Sequence, residues 1–293
     1  MNLILFEEGE LDKPLSLDDA RARHILTILR RSPGEPFDVG IVDGPQGKGY
    51  ILERDERSLK LGYELSIPSR GLHPVRLLLG LSRPLTMRRV LRDCTSLGVR
   101  RIDVAVTERS EPSYAASSLW TAGRYRADLI DGAQQSFSTC VPEVRLFSTL
   151  AAALTPENRS RGDCRLIALD NYEGSLSLGS YLHRSAQAPG DGRAPADRRA
   201  AAGARESRPE SAAVCEAAVA AVGGERGWTN HERDLLREAG FTLVHLGRRV
   251  QRTEVACIAA VEMILSELGF LDETIESGTP QARSPQGGAS HSS

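Results

Sequence analysis

Two stretches decide how this chain folds: VGGERGWTNHERDLL at residues 222–236 and HLGRRVQRTEVACIAAV at residues 245–261. Each leaves an apolar run, passes through a glycine-bearing turn and enters a helix. In the first, Gly223, Gly224 and Gly227 permit positive φ and close backbone approach. Thr229 and Glu232 form a T-x-x-E capping box that sets the helix start, and Gly240 stops the helix. In the second, the strand ends at Leu246, Gly247 relaxes the turn and Thr253 opens a helix. The turn offers Arg248, Arg249 and Arg252, and Glu254 lies in the first helical turn, where the macrodipole favours an acid. Open α/β sheets bind ligands beyond the C-terminal ends of their strands. Two such turns flanking one short helix therefore read as two walls of one site.

Outward from these turns, residues 71–272 alternate strand and helix. VRLLLGLS (75–82) is a continuous apolar run, as expected of a strand buried on both faces. MRRVLRDCTSLG is a helix ending at Gly98, VRRIDVAVT a strand, residues 117–136 one long helix, and RLIALD, EAAVAAVG and FTLVHLG further strands. The pattern predicts an α/β domain with a mostly parallel sheet. Residues 1–70 differ. Short β-prone runs are separated by Gly, Pro and Asp, with one helix in SLDDARARHILTILRR whose Ala22, Ile25, Leu26 and Leu29 share a face. That predicts a small β-barrel with one packed helix. Residues 176–212, poor in large apolar side chains after Leu182, are expected to be a disordered insertion, and residues 273–293 a disordered tail.

The chain of 293 residues has 40% hydrophobic and 26% charged residues and a formal charge of −2, the composition of a globular protein rather than of a uniformly basic nucleic-acid binder. The positive charge is nearly all Arg, which suits bidentate phosphate and base contacts. Arg21, Arg23, His24, Arg30 and Arg31 gather on the first helix, and residues 70–109, Arg83 and Arg109 among them, are rich in Arg. Both are candidate RNA surfaces. Five scattered cysteines without a C-x-x-C pair argue against a disulfide framework and a metal site. No run approaches a membrane span, and the N-terminus lacks the basic region of a signal peptide, so the expected location is cytoplasmic. Neither G-x-G-x-x-G nor a P-loop is present, which removes the usual dinucleotide and nucleotide motifs.

VGGERGWTNHE (222–232) resembles the IGPEGG-W/L-S/T-x-x-E motif of the SPOUT methyltransferases, and LGRRVQRTEVA (246–256) their LG-x-R-I/V-L-R-x-ETA motif. Together they are similar to the ribosomal RNA small subunit methyltransferase E family, whose members methylate N3 of a uridine in 16S rRNA with S-adenosylmethionine. Weaker likenesses run through HILTILRRSPGEPFDVGIVDG (24–44), LSRPLTMRRVLRDCTSLGV (81–99), TERS (107–110) and AQQSFSTCVPEV (133–144). The chain departs from the motifs at Gly224 (Pro in the family), Arg226 (Gly), Gln251 (Leu), Asp93 (Lys), Ser96 (Glu), and Phe137 and Ser138 (Gly-Arg).

The resemblance implies a PUA-like RNA-binding barrel, a trefoil-knotted SPOUT domain, a homodimer contacting through the last helix, and the small ribosomal subunit as partner. It implies that Leu169, Val222, Gly223, Gly224, Glu225, Gly227, Leu246, Gly247, Val250 and Thr253 wrap S-adenosylmethionine. Methylating N3 requires stabilising negative charge on the uracil, for which Arg252 and Arg249 are candidates. Glu225 is a candidate base, or else a carboxylate bracing its own loop. The altered Arg and Lys positions leave two other readings: a non-catalytic RNA-binding assembly factor, or a SPOUT enzyme acting on another RNA.

Overall fold

The computed structural model describes residues 3–156, 164–187 and 217–272. Five N-terminal strands, β1 (Ile4–Phe6), β2 (Leu15–Ser16), β3 (Phe37–Ile41), β4 (Gln46–Arg54) and β5 (Ser58–Ile67), form a sheet in the order β1-β3-β4-β5-β2. Alternate residues such as Leu59 and Leu61 of β5 face a core shared with Phe6, Ile25 and Val39. Two irregularities in the β4–β5 register curl this sheet into a half-barrel around that core. The single helix expected from residue 16 onward is instead an α-turn, Ala20–Arg23, capped by the Asp19 side chain and followed by a π-helical turn, His24–Ile28. The wider turn keeps Ile25 inside and leaves Ile28 exposed.

The second sheet holds seven parallel strands, β6 (His73–Gly80), β7 (Val99–Ala105), β8 (Glu143–Phe147), β9 (Arg165–Leu169), β10 (Leu176–Ser177), β11 (Ala218–Val222) and β12 (Thr242–His245). Their order is β10-β12-β9-β11-β6-β7-β8. β11 lies between β9 and β6 and is buried throughout, which explains why its sequence is AVAAV: both faces are covered, and small side chains keep the layers close. On one face the helices Pro84–Ser96 and Thr253–Glu267 pack Met87, Val90, Val261 and Ile264 against Leu77, Leu79 and Ala220. On the other, Trp228, Leu236 and Leu150 cover Leu78, Ala168 and Ala221. Arg76 and Asp103 form an ion pair inside the sheet, 3% and 0% exposed, so neither charge is left alone in the interior.

Two further expectations are corrected. The long helix over residues 117–136 is two helices, Ser118–Thr121 and Tyr125–Gln135, broken at Gly123, whose φ is +63°. The insertion does not begin at 176. Leu176 pairs with Val244 as an added edge strand, and the helix Leu178–Gln187 buries Leu178 and Leu182 one turn apart. Those leucines were visible in the sequence, but the Gly and Ser around them diluted the helical period. The rest of the expected insertion, and the tail, lie outside the described residues. Leu178→Ala and Leu182→Ala should each cost about 2–5 kcal/mol, the usual penalty for truncating a packed leucine. Chemical denaturation checks this; no loss of stability would mean the helix does not pack.

The stretch at residues 133–144 seams the two sheets together. Thr139 Oγ1 donates to the Gly44 carbonyl at 2.7 Å, Asp43 N–H donates to the Thr139 carbonyl at 2.8 Å, and Val141 N–H donates to Asp43 Oδ1 at 3.1 Å. Leu3 and Leu5 pack on Ala133, Ile130 and Val141. The short connection from β5 to β6 is thus reinforced by a second, tertiary connection.

Candidate functional site

A cavity of about 610 Å³ opens at the C-terminal edge of β9, β11 and β12. Topology puts it there. β9 separates β11 from β12, so the loop after β9 sits between the turns that leave the other two strands. Nine of the ten residues expected to wrap the cofactor line it: Leu169, Val222, Gly223, Gly224, Glu225, Gly227, Leu246, Val250 and Thr253. Gly247 does not; its φ of +101° turns the chain toward the cavity, just as the +64° of Gly227 turns the other wall.

The first turn is held from every side. Trp228 is fully buried and its Nε1 donates to the Leu169 carbonyl at 3.1 Å, tying the turn to the end of β9. The expected capping box is present, with Thr229 Oγ1 accepting from Glu232 N–H and Glu232 Oε2 accepting from Thr229 N–H. Glu232 is 2% exposed, and its other oxygen accepts from Glu108 N–H at 2.9 Å. Arg109 donates to the carbonyls of Arg226 and Trp228. His231 Nδ1 lies 2.7 Å from Glu108 Oε1; this hydrogen bond lowers the pKa of Glu108 and raises that of His231. Residues 107–110 are therefore a brace for the turn, and Arg109, expected on an RNA surface, spends its guanidinium on the backbone.

The loop after β9 carries residues that sequence reasoning missed. Asp170 Oδ1 accepts from the N–H groups of Tyr172 and Glu173, and its Oδ2 accepts from Arg233 Nε at 2.8 Å. Asp170 and Arg233 are 5% and 4% exposed. Asn230 accepts from the same guanidinium, which also lies 5.3 Å from the Tyr172 ring centroid. The partners are 63 residues apart, so no local spacing announced them.

The end of the cavity toward the helix Pro84–Ser96 is charged. Glu225 Oε1 accepts from Arg83 Nε at 2.6 Å and from Thr86 Oγ1 at 3.0 Å. Arg83, expected to contact RNA, thus pairs with the cavity wall, and Glu225 is a braced carboxylate rather than a free base. Glu254 faces Arg89 at 3.5 Å, so it does not pair with Arg252. Arg252 lines the cavity and is exposed, and its guanidinium has no hydrogen bond or ion pair among the described residues. Arg248 and Arg249 are exposed on the turn but do not line the cavity, which removes Arg249 from the immediate site.

On the half-barrel, Arg23, Arg30 and Arg31 are exposed and His24 is partly buried. Arg21 is corrected: Glu10 and Asp19 hold its guanidinium with two ion pairs at 2.8 Å, and it stacks on Phe6 at 4.5 Å. Both acids are lowered in pKa, each chiefly by its hydrogen bond from Arg21, so this arginine fastens the barrel. On the last helix, Leu265 is buried in the protein's own core and does not share an outer face with Val255, Ile258, Ala259 and Glu262. Val255 is exposed and the other three partly so. Among the described residues no cluster of His, Cys, Asp or Glu is arranged to hold a metal, and no helix is long and apolar enough to cross a membrane.

The family model for the RNA methyltransferase domain matches residues 70–265, which contain every wall of this cavity. The ribosomal RNA small subunit methyltransferase E of Treponema pallidum (strain Nichols) is 32% identical over 272 residues, covering 91% of each chain. The chain belongs to the ribosomal RNA small subunit methyltransferase E family. A second relative with that family name, from Borreliella burgdorferi, is 25% identical and covers 92% of this chain and 99% of its own. Among solved structures, the methyltransferase E of Neisseria gonorrhoeae bound to S-adenosyl methionine has a TM-score of 0.61 at 22% identity, over 91% of this chain and 97% of that one. A probable rRNA-methyltransferase from Porphyromonas gingivalis has a TM-score of 0.65 at 16% identity, over 92% of this chain and all of that one. The match extends across both sheets, so the half-barrel belongs to the methyltransferase E architecture along with the parallel domain.

Proposed function

We propose that this protein transfers the methyl group of S-adenosylmethionine to N3 of one uridine in 16S rRNA of the small ribosomal subunit, working as a homodimer. The observation that carries the reading is Arg252: an exposed guanidinium without a partner among the described residues, on the wall of a cavity built by two glycine turns. The cavity suits the cofactor. Its volume of about 610 Å³ accommodates a nucleoside-sized ligand, and its lining combines apolar Leu169, Val222 and Leu246 with charged groups. A Cβ on Gly80 would lie 2.4 Å from Gly224 N, so the first turn is pressed onto the end of β6 as closely as backbone allows.

S-adenosylmethionine supplies an electrophilic methyl carbon. The protein must bring uracil N3 within about 3–3.5 Å of it in line. As the N3 proton passes to solvent water, negative charge spreads onto the flanking uracil oxygens. Arg252, whose backbone stands at the start of the last helix, donates to those oxygens, and among the described residues no carboxylate neutralises it. Glu225, clamped by Arg83 and Thr86, positions the turn and is not assigned the proton. Arg23, Arg30 and Arg31 on the half-barrel suit phosphate contacts with structured RNA.

Incubation with small subunits from a strain lacking the modification, followed by mass-spectrometric nucleoside mapping, should find 3-methyluridine in 16S rRNA. Methylation of another base, or of tRNA only, would overturn the uridine-N3 assignment. Absence of S-adenosylhomocysteine binding would favour an RNA-binding assembly factor. The dimer is tested separately. The outer face of the last helix, Val255, Ile258, Ala259 and Glu262, combines apolar and small side chains suited to a second helix. Light scattering at micromolar concentration should give twice the chain mass of 31.8 kDa. A monomer would overturn it.

A further inference from the structure

Three acids line the cavity and each is taken: Asp170 pairs with Arg233, Glu225 with Arg83 and Glu254 with Arg89. Four arginines line it, and two of them, Arg83 and Arg89, are spent on these pairs. Arg226 and Arg252 are left over. Arg226 is exposed, and its guanidinium has no hydrogen bond or ion pair among the described residues. Its backbone, by contrast, is held. The Arg226 carbonyl accepts from Arg109 Nη1 at 2.8 Å, and Gly227 N–H donates to the Gly224 carbonyl at 2.9 Å, closing the turn around it. The family motif carries Gly at this position, so the turn does not require a long side chain there. A cation rooted firmly on the cavity wall and free at its tip is able to reach a ligand.

We infer that Arg226 binds a backbone phosphate of the RNA beside the target uridine. The inference rests on the RNA-methylation reading above. A wall with uncompensated positive charge suits an anion, and S-adenosylmethionine is a poor match: its sulfonium and ammonium outweigh its one carboxylate, so it is a net cation. The second substrate is the polyanion. Its uracil, as the proton leaves, is met by Arg252. The other negative charge that enters the cavity mouth with the base is the phosphate flanking it. A guanidinium meets phosphate oxygens with two parallel N–H donors, a geometry that fixes orientation as well as position. Phosphate contacts seat a nucleic acid without reading its sequence. Arg226 is therefore a substrate-binding residue that holds the nucleotide in front of the methyl donor, and it does not choose the base.

The test is the salt dependence of small-subunit methylation by the full chain, read as kcat and kcat/KM over a series of KCl concentrations. Each phosphate neutralised by a protein cation releases counterions, so losing one contact flattens the slope of log kcat/KM against log salt by about 0.7–0.9. Arg226→Gln keeps the length and loses the charge. It should lower kcat/KM about 10-fold, mainly through KM, and flatten the slope by that amount. Arg226→Lys should restore the slope. Calorimetry should find S-adenosylhomocysteine affinity unchanged in both. Arg184→Gln removes an exposed charge next to His183, which faces Glu267 at the far end of the last helix, and should leave the slope as it was. Thermal unfolding verifies that the variants fold. A wild-type slope in folded Arg226→Gln overturns the inference and leaves the methylation reading standing, as does an equal flattening in Arg184→Gln. S-adenosylhomocysteine affinity falling in step with kcat/KM also overturns it, by making Arg226 a ligand of the cofactor carboxylate. No methylation of small subunits by the wild type overturns the methylation reading, and this inference with it.

Discussion

Arg252→Ala should lower kcat about 10²–10³-fold, the usual loss when one donor to a developing anion is removed. S-adenosylhomocysteine affinity should hold within about three-fold, because the charge that Arg252 stabilises exists only near the transition state. The free state of the side chain gives this prediction its force. Glu254, the neighbour best placed to neutralise it, is engaged by Arg89 instead. Arg252 is exposed and caps no backbone group, so its removal should leave stability unchanged. Arg252→Lys should recover only part of the rate, since an ammonium lacks the planar fork that meets two acceptors at once. Single-turnover methylation of small subunits, with titration calorimetry alongside, separates the two quantities. Parallel losses of rate and cofactor affinity would make Arg252 a cofactor ligand rather than a catalytic residue.

Arg233→Ala should destabilise the protein by about 3–5 kcal/mol, the penalty for stranding a buried charge. The charge is Asp170, 5% exposed, which also orders the loop after β9 by accepting from Tyr172 and Glu173 N–H. That loop walls the cavity, so S-adenosylhomocysteine affinity should fall with stability. The double variant Asp170→Leu/Arg233→Met separates the effects. Replacing a buried pair with apolar side chains is often close to neutral, so stability should largely return. The loop loses its acceptor in the double variant, so affinity should not return. Denaturant unfolding and calorimetry read the two. Recovery of both would show that the pair merely fills space.

Residues in local register made much of this protein legible. The T-x-x-E box at Thr229 and Glu232 formed as read, because its partners are three residues apart and one helical turn brings them together. The strand-helix alternation after residue 75 gave a parallel sheet, and the glycines at 227 and 247 turn the chain with positive φ. Errors arose where local signals were weak or cut short. Leu178 and Leu182 vanished among Gly and Ser, and the helix at 117–136 was drawn through Gly123, whose positive φ breaks it.

By itself, then, the chain determined the elements, the capping of the turns and the family motifs, since all of these depend on neighbours within a few residues. Tertiary structure alone decided which charges are at work. Arg21, Arg83, Arg109, Arg233 and Arg252 look alike in sequence. Packing assigns the first to Glu10 and Asp19, the second to Glu225, the third to backbone carbonyls and the fourth to Asp170, and leaves the fifth open at the cavity. An arginine's role is set by the acceptors that reach it: the acids that hold Arg21 lie 2 and 11 residues away, whereas the acceptors of Arg83, Arg109 and Arg233 lie 142, 117 and 63 residues away and meet them only when β11 inserts between β9 and β6.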